Sequence, residues 1–377
     1  MAKSLGKALG IVTYNDARVF VEGLQQHRPI ASFNFLGRYR LLDVPVSNMT
    51  NSGIDDIQVY VNGNPRSLFD HVGDGRMYNI NSKHGSLSII PLYKQGGMGS
   101  GMYTSDIESY YDNIDKIEES GYEYVVIAPS NIVYTCDYSA LIDQHIASDA
   151  EISILYANVK NANDAYINED VLDLNKQKGV LKIDTNLGKY KNRALSLMTY
   201  VMSVETLVAL IHKARQISSM YWLKDIINDS ADTMDIRGIQ YKGKFYYIDS
   251  LKSYFDANLG ILDTANMKDF ADPKWPIYTL SSDSAPALYF AGGSAVRSFV
   301  ANGCQISGEV TNSVIGRGTI IGKGAKLDNC IIMEDVEIGP NAILSNVIVD
   351  KHTKIVNKKE LVGEDYAPLY IGRREKI

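Results

Sequence analysis

The sequence predicts an α/β protein: a doubly wound, mostly parallel sheet followed by a parallel β-helix. Three observations carry the prediction. Short apolar runs alternate with helix-period segments from Ala8 to Leu262. Beyond Val296 an aliphatic residue recurs every six positions, and helix periodicity nearly vanishes. Between the two regimes, Asp272-Pro273-Lys274-Trp275-Pro276 cannot continue a helix and marks a linker. With 377 residues and 45% hydrophobic content, the chain can fill two cores. We place an α/β domain at residues 1–265, a linker at 266–290, and the β-helix with a C-terminal tail at 291–377.

The first strand, Ala8 to Thr13, is apolar on both faces, as a strand inside a parallel sheet should be. The chain then turns at Arg28-Pro29 and passes through Gly37-Arg38-Tyr39-Arg40 into the apolar run Leu41 to Val46. In an open α/β sheet, ligands bind beyond the carboxyl ends of the strands, and the loop after the first strand usually grips phosphate. Residues 14–33 should therefore decide function. They hold no glycine before Gly23, and Asp16 puts negative charge where phosphate would sit.

Strands follow at Ile57–Val61 and Ser86–Pro91, with a helical turn at Pro65–Val72 between them. The glycine cluster Gly96 to Gly101 has no following lysine and reads as a surface loop before it reads as a phosphate cradle. Ser105 and Glu108 fit a capping box, and Ile107, Tyr110, Tyr111, Ile114 and Ile117 give one helix its apolar face. Tyr124–Ala128, Ile152–Val159, Ala194–Met202 and Phe245–Ile248 read as strands. Helices are expected at Tyr138–Ser148, Val204–Gln216, Met220–Asn228 and Ser250–Leu262, with a small antiparallel excursion near Val180–Ile183. Asp43 and Asn48 read as residues that secure a turn.

In the repeat, Ile315-Gly316, Ile321-Gly322, Leu327-Asp328 and Met333-Glu334 fall six apart. Ile338-Gly339 and Leu344-Ser345 resume the pattern after a one-residue deletion. Each hexad makes one short strand and a corner, and three hexads make one coil. The aliphatic residue points inward, the glycine after it serves the turn, and Asn312, Asn329 and Asn346 fall at corners. Such a coil ends in an exposed strand edge, a natural assembly surface.

Composition excludes several classes. The net charge is −6, with 38 basic and 44 acidic residues interspersed, so no nucleic-acid or membrane footprint is expected. Cys136, Cys304 and Cys330 form no CxxC pair and the six histidines share no ligand spacing, so no metal site or disulfide framework is expected. With no signal peptide or membrane span legible, the expected home is the reducing cytoplasm.

The stretches GRYRLLDVPVSNMTNSG (37–53), DSLKSYFDAN (249–258) and GCQISGEVTNSV (303–314) resemble the bacterial ADP-glucose pyrophosphorylases, the glucose-1-phosphate adenylyltransferases. The resemblance covers nearly the whole chain. It implies a nucleotidyltransferase-like sheet, a left-handed β-helix, and a reaction of ATP with glucose 1-phosphate to give ADP-glucose and pyrophosphate. Catalytic members carry a glycine-rich loop, a Lys-Pro dipeptide and two aspartates that hold Mg²⁺, which bridges both substrates. Here the loop reads Tyr14 to Val21, the lysine is Arg28, and Asn131 stands for the first aspartate. The segment Tyr103 to Ile107 has a tyrosine for a glycine. Only Asp249 survives, either as a residual metal carboxylate or as a cap on the next helix. No intact catalytic set remains among Arg28, Asn131 and Asp249.

That pattern resembles the non-catalytic D-type subunit of the family. It implies a regulatory role in a hetero-oligomer whose catalytic C-type partner holds Mg²⁺ and ATP, with no cofactor on this chain. Arg38 and Arg40 lie where relatives carry basic residues, some tied to effector phosphates; binding a phosphorylated effector and ordinary ion pairing are both open. A divergent active adenylyltransferase and a sugar-phosphate- or nucleotide-sensing scaffold are the alternatives.

Overall fold

The computed structural model describes residues 8–14, 20–80, 85–92, 105–357 and 359–377. By contact the chain forms two compact units. Residues 8–14 go with the described part of 44–245, and residues 20–43 with that of 246–377. Asp16, the glycine cluster Gly96–Gly101 and the pair Tyr103-Thr104 lie outside the described residues.

The first unit is built on a nine-stranded sheet. Ala8–Thr13 sits at its parallel heart, flanked by Tyr124–Pro129 and Asp56–Val61, with Ser86–Pro91 outside the latter. The central strand is fully buried, which is why it is apolar on both faces. The long strand Arg193–Ser203 runs antiparallel to Tyr124–Pro129, to Ile152–Val159 and to Asp170–Leu174. The excursion Val180–Thr185 pairs back on Asp170–Leu174. Ile236–Tyr241, parallel to Ile152–Val159, is not legible in the sequence. Its Gly238 weakens the strand pattern, and a Cβ there would lie 2.9 Å from the Tyr156 ring.

Two helices differ from the sequence reading. The expected helix after Ser105 breaks into Asp106–Tyr111 and Ile114–Glu118, because the Asn113 amide donates back to the Ser109 carbonyl at 3.0 Å. Ser105 caps the first as expected, but Glu108 pairs with Arg215 instead of closing the box. The helix expected from Met220 begins at Leu223. No described helix is long and apolar enough to cross a membrane.

The second unit is a parallel β-helix with the stretch 20–43 and the helix Leu251–Ile261 packed into it. Three columns of inward residues run along the coil. Ile306, Ile321, Ile338 and Ile355 form one, Val310, Leu327, Leu344 and Leu361 a second, and Ile315, Ile332, Val349 and Ile371 the third. The hexad pattern is thus realised, but the third column passes through Ile332 rather than Met333, so the deletion falls one hexad earlier, between Leu327 and Ile332. Asn312, Asn329 and Asn346 turn the corners in the left-handed backbone region, with φ of 45°, 50° and 53°.

The glycines after the aliphatic residues serve a different purpose from the one expected. At Gly316 the constraint is the neighbouring coil, not a positive φ: an added Cβ would lie 2.6 Å from the Met333 carbonyl carbon and 2.8 Å from the Glu334 nitrogen. The contact division at 245 also differs from the sequence division at 265, because the helix Leu251–Ile261 is bonded to the stretch 20–43. Tyr254 donates its hydroxyl to the Asn34 carbonyl (2.6 Å), and Asn258 accepts the Leu36 N–H (2.9 Å).

Gly316→Ala should therefore destabilise the second unit by about 1–3 kcal/mol through overpacking. Chemical denaturation of the variant checks this, and an unchanged midpoint contradicts it.

Candidate functional site

In the first unit, the position just past the carboxyl end of the first strand is occupied by the side chain of Tyr14. The phenol is 5% exposed and belongs to the main hydrophobic cluster. Its hydroxyl donates to the Ser105 carbonyl (2.9 Å) and shares a hydrogen bond with Ser109 Oγ (2.8 Å). Trp222 meets its ring edge-on at 5.8 Å. Beside it, Tyr110 donates to Thr13 Oγ1 (2.8 Å) and packs edge-to-face against Tyr60. Burial pushes the Tyr14 and Tyr110 hydroxyls well above the ordinary phenol range, so both stay neutral. Among the described residues, aromatic rings and hydroxyls gather around Tyr14 at the end of the first strand, where this kind of sheet binds phosphate.

Asn131 and Ser130 follow the neighbouring strand, and both are buried. The Ser130 N–H donates to the Thr13 carbonyl at 3.2 Å, tying the two strand ends together. Asn48 does not secure a turn: it lies in the helix Asp43–Asn51 and bridges the Tyr134 carbonyl (2.8 Å) and the Cys136 N–H (3.2 Å). A cavity of about 500 Å³ opens by Tyr60, Ile90 and Leu92, with Asp112, Asn113 and Lys116 on its wall.

In the second unit, Arg28 and Arg40 each enter an ion pair with the β-helix. The Arg28 guanidinium pairs with Asp350, whose carboxylate also accepts the Tyr370 hydroxyl at 2.7 Å. Arg40 lies 2.9 Å from Glu334, and Lys351 reaches the same carboxylate at 2.9 Å. Asn34 donates to it at 3.1 Å. Arg28 and Arg40 are each only 8% exposed. Burial alone would raise the Glu334 carboxyl, but Arg40 and Lys351 outweigh it and hold it down at about 2. Burial, followed by repulsion from Arg40, brings Lys351 down to about 8 despite its partner.

Arg38 is half-buried. Its guanidinium stands over the Tyr39 ring at 5.2 Å, and its carbonyl accepts Thr279 Oγ1 at 3.3 Å. Asp43 accepts the Arg40 N–H at 2.8 Å, securing the turn as expected. Asp249 does not cap the helix that follows it. Ser250 does, accepting the Ser253 N–H at 3.1 Å, while the Asp249 N–H donates to Ser253 Oγ at 3.0 Å.

The Mg²⁺ implied by the resemblance finds a poor donor set in these residues. Asn131 offers a neutral amide with no exposed surface, and Asp249 offers a single carboxylate. Among the described residues, no group of three or more His, Cys, Asp and Glu is placed to hold a metal ion.

Sequence reasoning missed Glu334, Asp350, Lys351 and Tyr370. A signal existed for the second: Asp350 follows the inward Val349 as Gly316 follows Ile315 and Gly372 follows Ile371. A charge at a glycine corner needs a partner.

Residues 23–166 match the nucleotidyl transferase model, and residues 289–368 match the GlmU-like C-terminal hexapeptide model. The class is thus a nucleotidyltransferase-type domain joined to a hexapeptide-repeat β-helix. A glucose-1-phosphate adenylyltransferase of Thermosipho africanus is 30% identical over 328 residues, spanning 86% of this chain and 76% of the relative. The enzyme of that name from Halalkalibacterium halodurans is 30% identical over 302 residues, spanning 78% and 76%. That from Clostridioides difficile is 27% identical over 340 residues, spanning 89% and 84%. The chain belongs to the glucose-1-phosphate adenylyltransferase family.

Removing one partner of a buried ion pair typically costs about 3–5 kcal/mol. Glu334→Gln should lose stability of that order in urea unfolding at neutral pH. Because the folded carboxyl sits at about 2, below the ordinary value of about 4.3, Glu334 stabilises the fold above that ordinary value. Its contribution fades as pH falls from there through the folded value. The difference between wild type and variant should shrink over that window; a constant difference contradicts the assignment.

Proposed function

We propose that this chain is a non-catalytic, regulatory subunit that assembles with a catalytic glucose-1-phosphate adenylyltransferase subunit and modulates it. The observation that carries the reading is Tyr14, whose ring is packed into the core at the end of the first strand. A triphosphate needs close backbone N–H approach and fixed positive charge there. Arg28, in the place of the family's lysine, is committed to Asp350 within the second unit. Asn131 replaces a carboxylate with an amide. A single donor lost from such a site typically costs about 2.7–4 kcal/mol of transition-state stabilisation, and losses of this number leave little turnover even when they are not additive.

In this reading ATP, Mg²⁺ and glucose 1-phosphate are handled by the partner subunit, in the cytoplasm, and this chain contributes assembly and regulation. The ion pair between Arg40 and Glu334 favours a structural role for that arginine over effector binding, and leaves Arg38 as the more accessible of the two.

The purified chain alone should form no ADP-glucose from ATP and glucose 1-phosphate. Co-purified with a catalytic subunit, it should change that subunit's rate or substrate affinity. Turnover by the isolated chain in the ordinary enzyme range, about 1–10³ s⁻¹, overturns the reading, as does a catalytic subunit whose kinetics are the same with and without it.

A further inference from the structure

The chain contains two Asn-Gly pairs, Asn62-Gly63 and Asn302-Gly303. An asparagine before glycine can lose its side-chain amide without an enzyme. The backbone nitrogen of the next residue attacks Cγ, ammonia leaves, and water then opens the cyclic imide to aspartate or isoaspartate. Glycine favours the step, because it has no side chain to shield its nitrogen and no Cβ to forbid the backbone angles required. The reaction needs both partners free: the asparagine amide and the glycine N–H.

The structure treats the two pairs oppositely. Asn302 donates its amide to the Ser284 hydroxyl (2.7 Å) and to the Ser282 carbonyl (3.2 Å). The Gly303 N–H is spent on the Ala285 carbonyl at 2.6 Å. Asn62 and Gly63, in contrast, form an exposed turn between the strand Asp56–Val61 and the helix Arg66–Val72. Among the described residues, no hydrogen bond holds the Asn62 amide or the Gly63 N–H. Gly63 has a φ of 107°, and a Cβ there would meet nothing within 4 Å. The chain is pinned on either side of the pair: the Val61 carbonyl accepts the Leu92 N–H at 3.0 Å, and Asn64 Oδ1 accepts the Arg66 N–H at 3.0 Å. The next most reactive pairs are held as well. The Ser52 N–H after Asn51 bonds back to the Asn48 carbonyl at 3.1 Å. Asn312 donates to Asp328 at 3.0 Å, and the Ser313 N–H donates to Ser298 Oγ at 3.1 Å.

We infer that Asn62 is a site of spontaneous deamidation, which converts this turn to an aspartyl or isoaspartyl linkage as the protein ages while Asn302 stays intact. One water enters and one ammonia leaves for each side chain converted. The new carboxyl, with an ordinary pKa of about 3.9, adds a negative charge at neutral pH. The isoaspartyl product also lengthens the main chain by a methylene. Both changes fall at the carboxyl end of a strand that pairs with Ala8–Thr13, on the side of the sheet where this fold class binds ligands. The inference stands independently of the proposed regulatory role, since it needs neither a partner subunit nor turnover.

The full-length chain, incubated at mildly alkaline pH, should gain an acidic species in isoelectric focusing and release ammonia in step with it. Peptide mass spectrometry should place the amide-to-acid change at Asn62, and an isoaspartyl methyltransferase should label the same peptide. In the folded chain Asn302 should convert at least about tenfold more slowly, the order expected when hydrogen bonds of ordinary strength must open first. In urea both pairs lose their folded surroundings and should convert at similar rates. Asn62→Gln closes a larger ring far less readily; it should abolish the acidic species and leave the circular-dichroism spectrum unchanged. An Asn62 amide that survives as long as that of Asn302 overturns the inference, as does an acidic species that forms at the same rate in Asn62→Gln. So does a rate ratio that persists in urea, which would owe nothing to the fold.

Discussion

Two carboxylates, the fully buried Asp350 and the partly buried Glu334, fix what Arg28 and Arg40 can do. Placing Arg28 and Arg40 out of water costs several kcal/mol each unless an opposite charge meets them at contact distance. The β-helix supplies those charges from consecutive coils, and Lys351 joins the second pair. Residues 20–43 are thereby made part of the second unit, although in sequence they follow directly from the first strand of the sheet. An arginine held this way is not a mobile cation waiting for phosphate.

In the first unit, Tyr14 is committed by different physics. Tyr14 is held by ring packing and two hydrogen bonds within the sheet unit. Removing a buried ring of that size opens a cavity and leaves Ser105 and Ser109 short of a partner. A phosphate-binding loop must leave space at this point, and among the described residues Tyr14 fills it with a buried ring. Substituting one glycine back would not rebuild the site, because Trp222, Tyr60 and Tyr110 shape the same region.

Much of this architecture was legible in the residues. The central strand announced itself by being apolar on both faces, and the hexads from Ile315 onward announced the coil. What escaped had physical reasons. Ile236–Tyr241 carries a glycine where Tyr156 needs room, so its strand signal was weak. Asn113 broke a helix that periodicity alone would have continued, through a side-chain bond that no pattern records. The glycine corners were expected to serve turns, but at Gly316 the backbone of the next coil sets the limit. Of the candidate site, sequence showed that the glycines and the lysine were gone. It could not show that Arg28 and Arg40 had found partners more than 290 residues away, since only folding brings those coils to them.

Tyr14 fills the core at the end of the first strand, and Arg28 and Arg40 are spent on ion pairs within the second unit. Direct titration calorimetry of Mg²⁺-ATP into the isolated chain tests what this means for nucleotide binding without depending on turnover or on a partner. No saturable heat is expected up to about 1 mM nucleotide, a ceiling of roughly −4 kcal/mol in binding free energy. A one-to-one isotherm with a dissociation constant in the micromolar range, abolished by enlarging or charging the side chain at Tyr14, would contradict it.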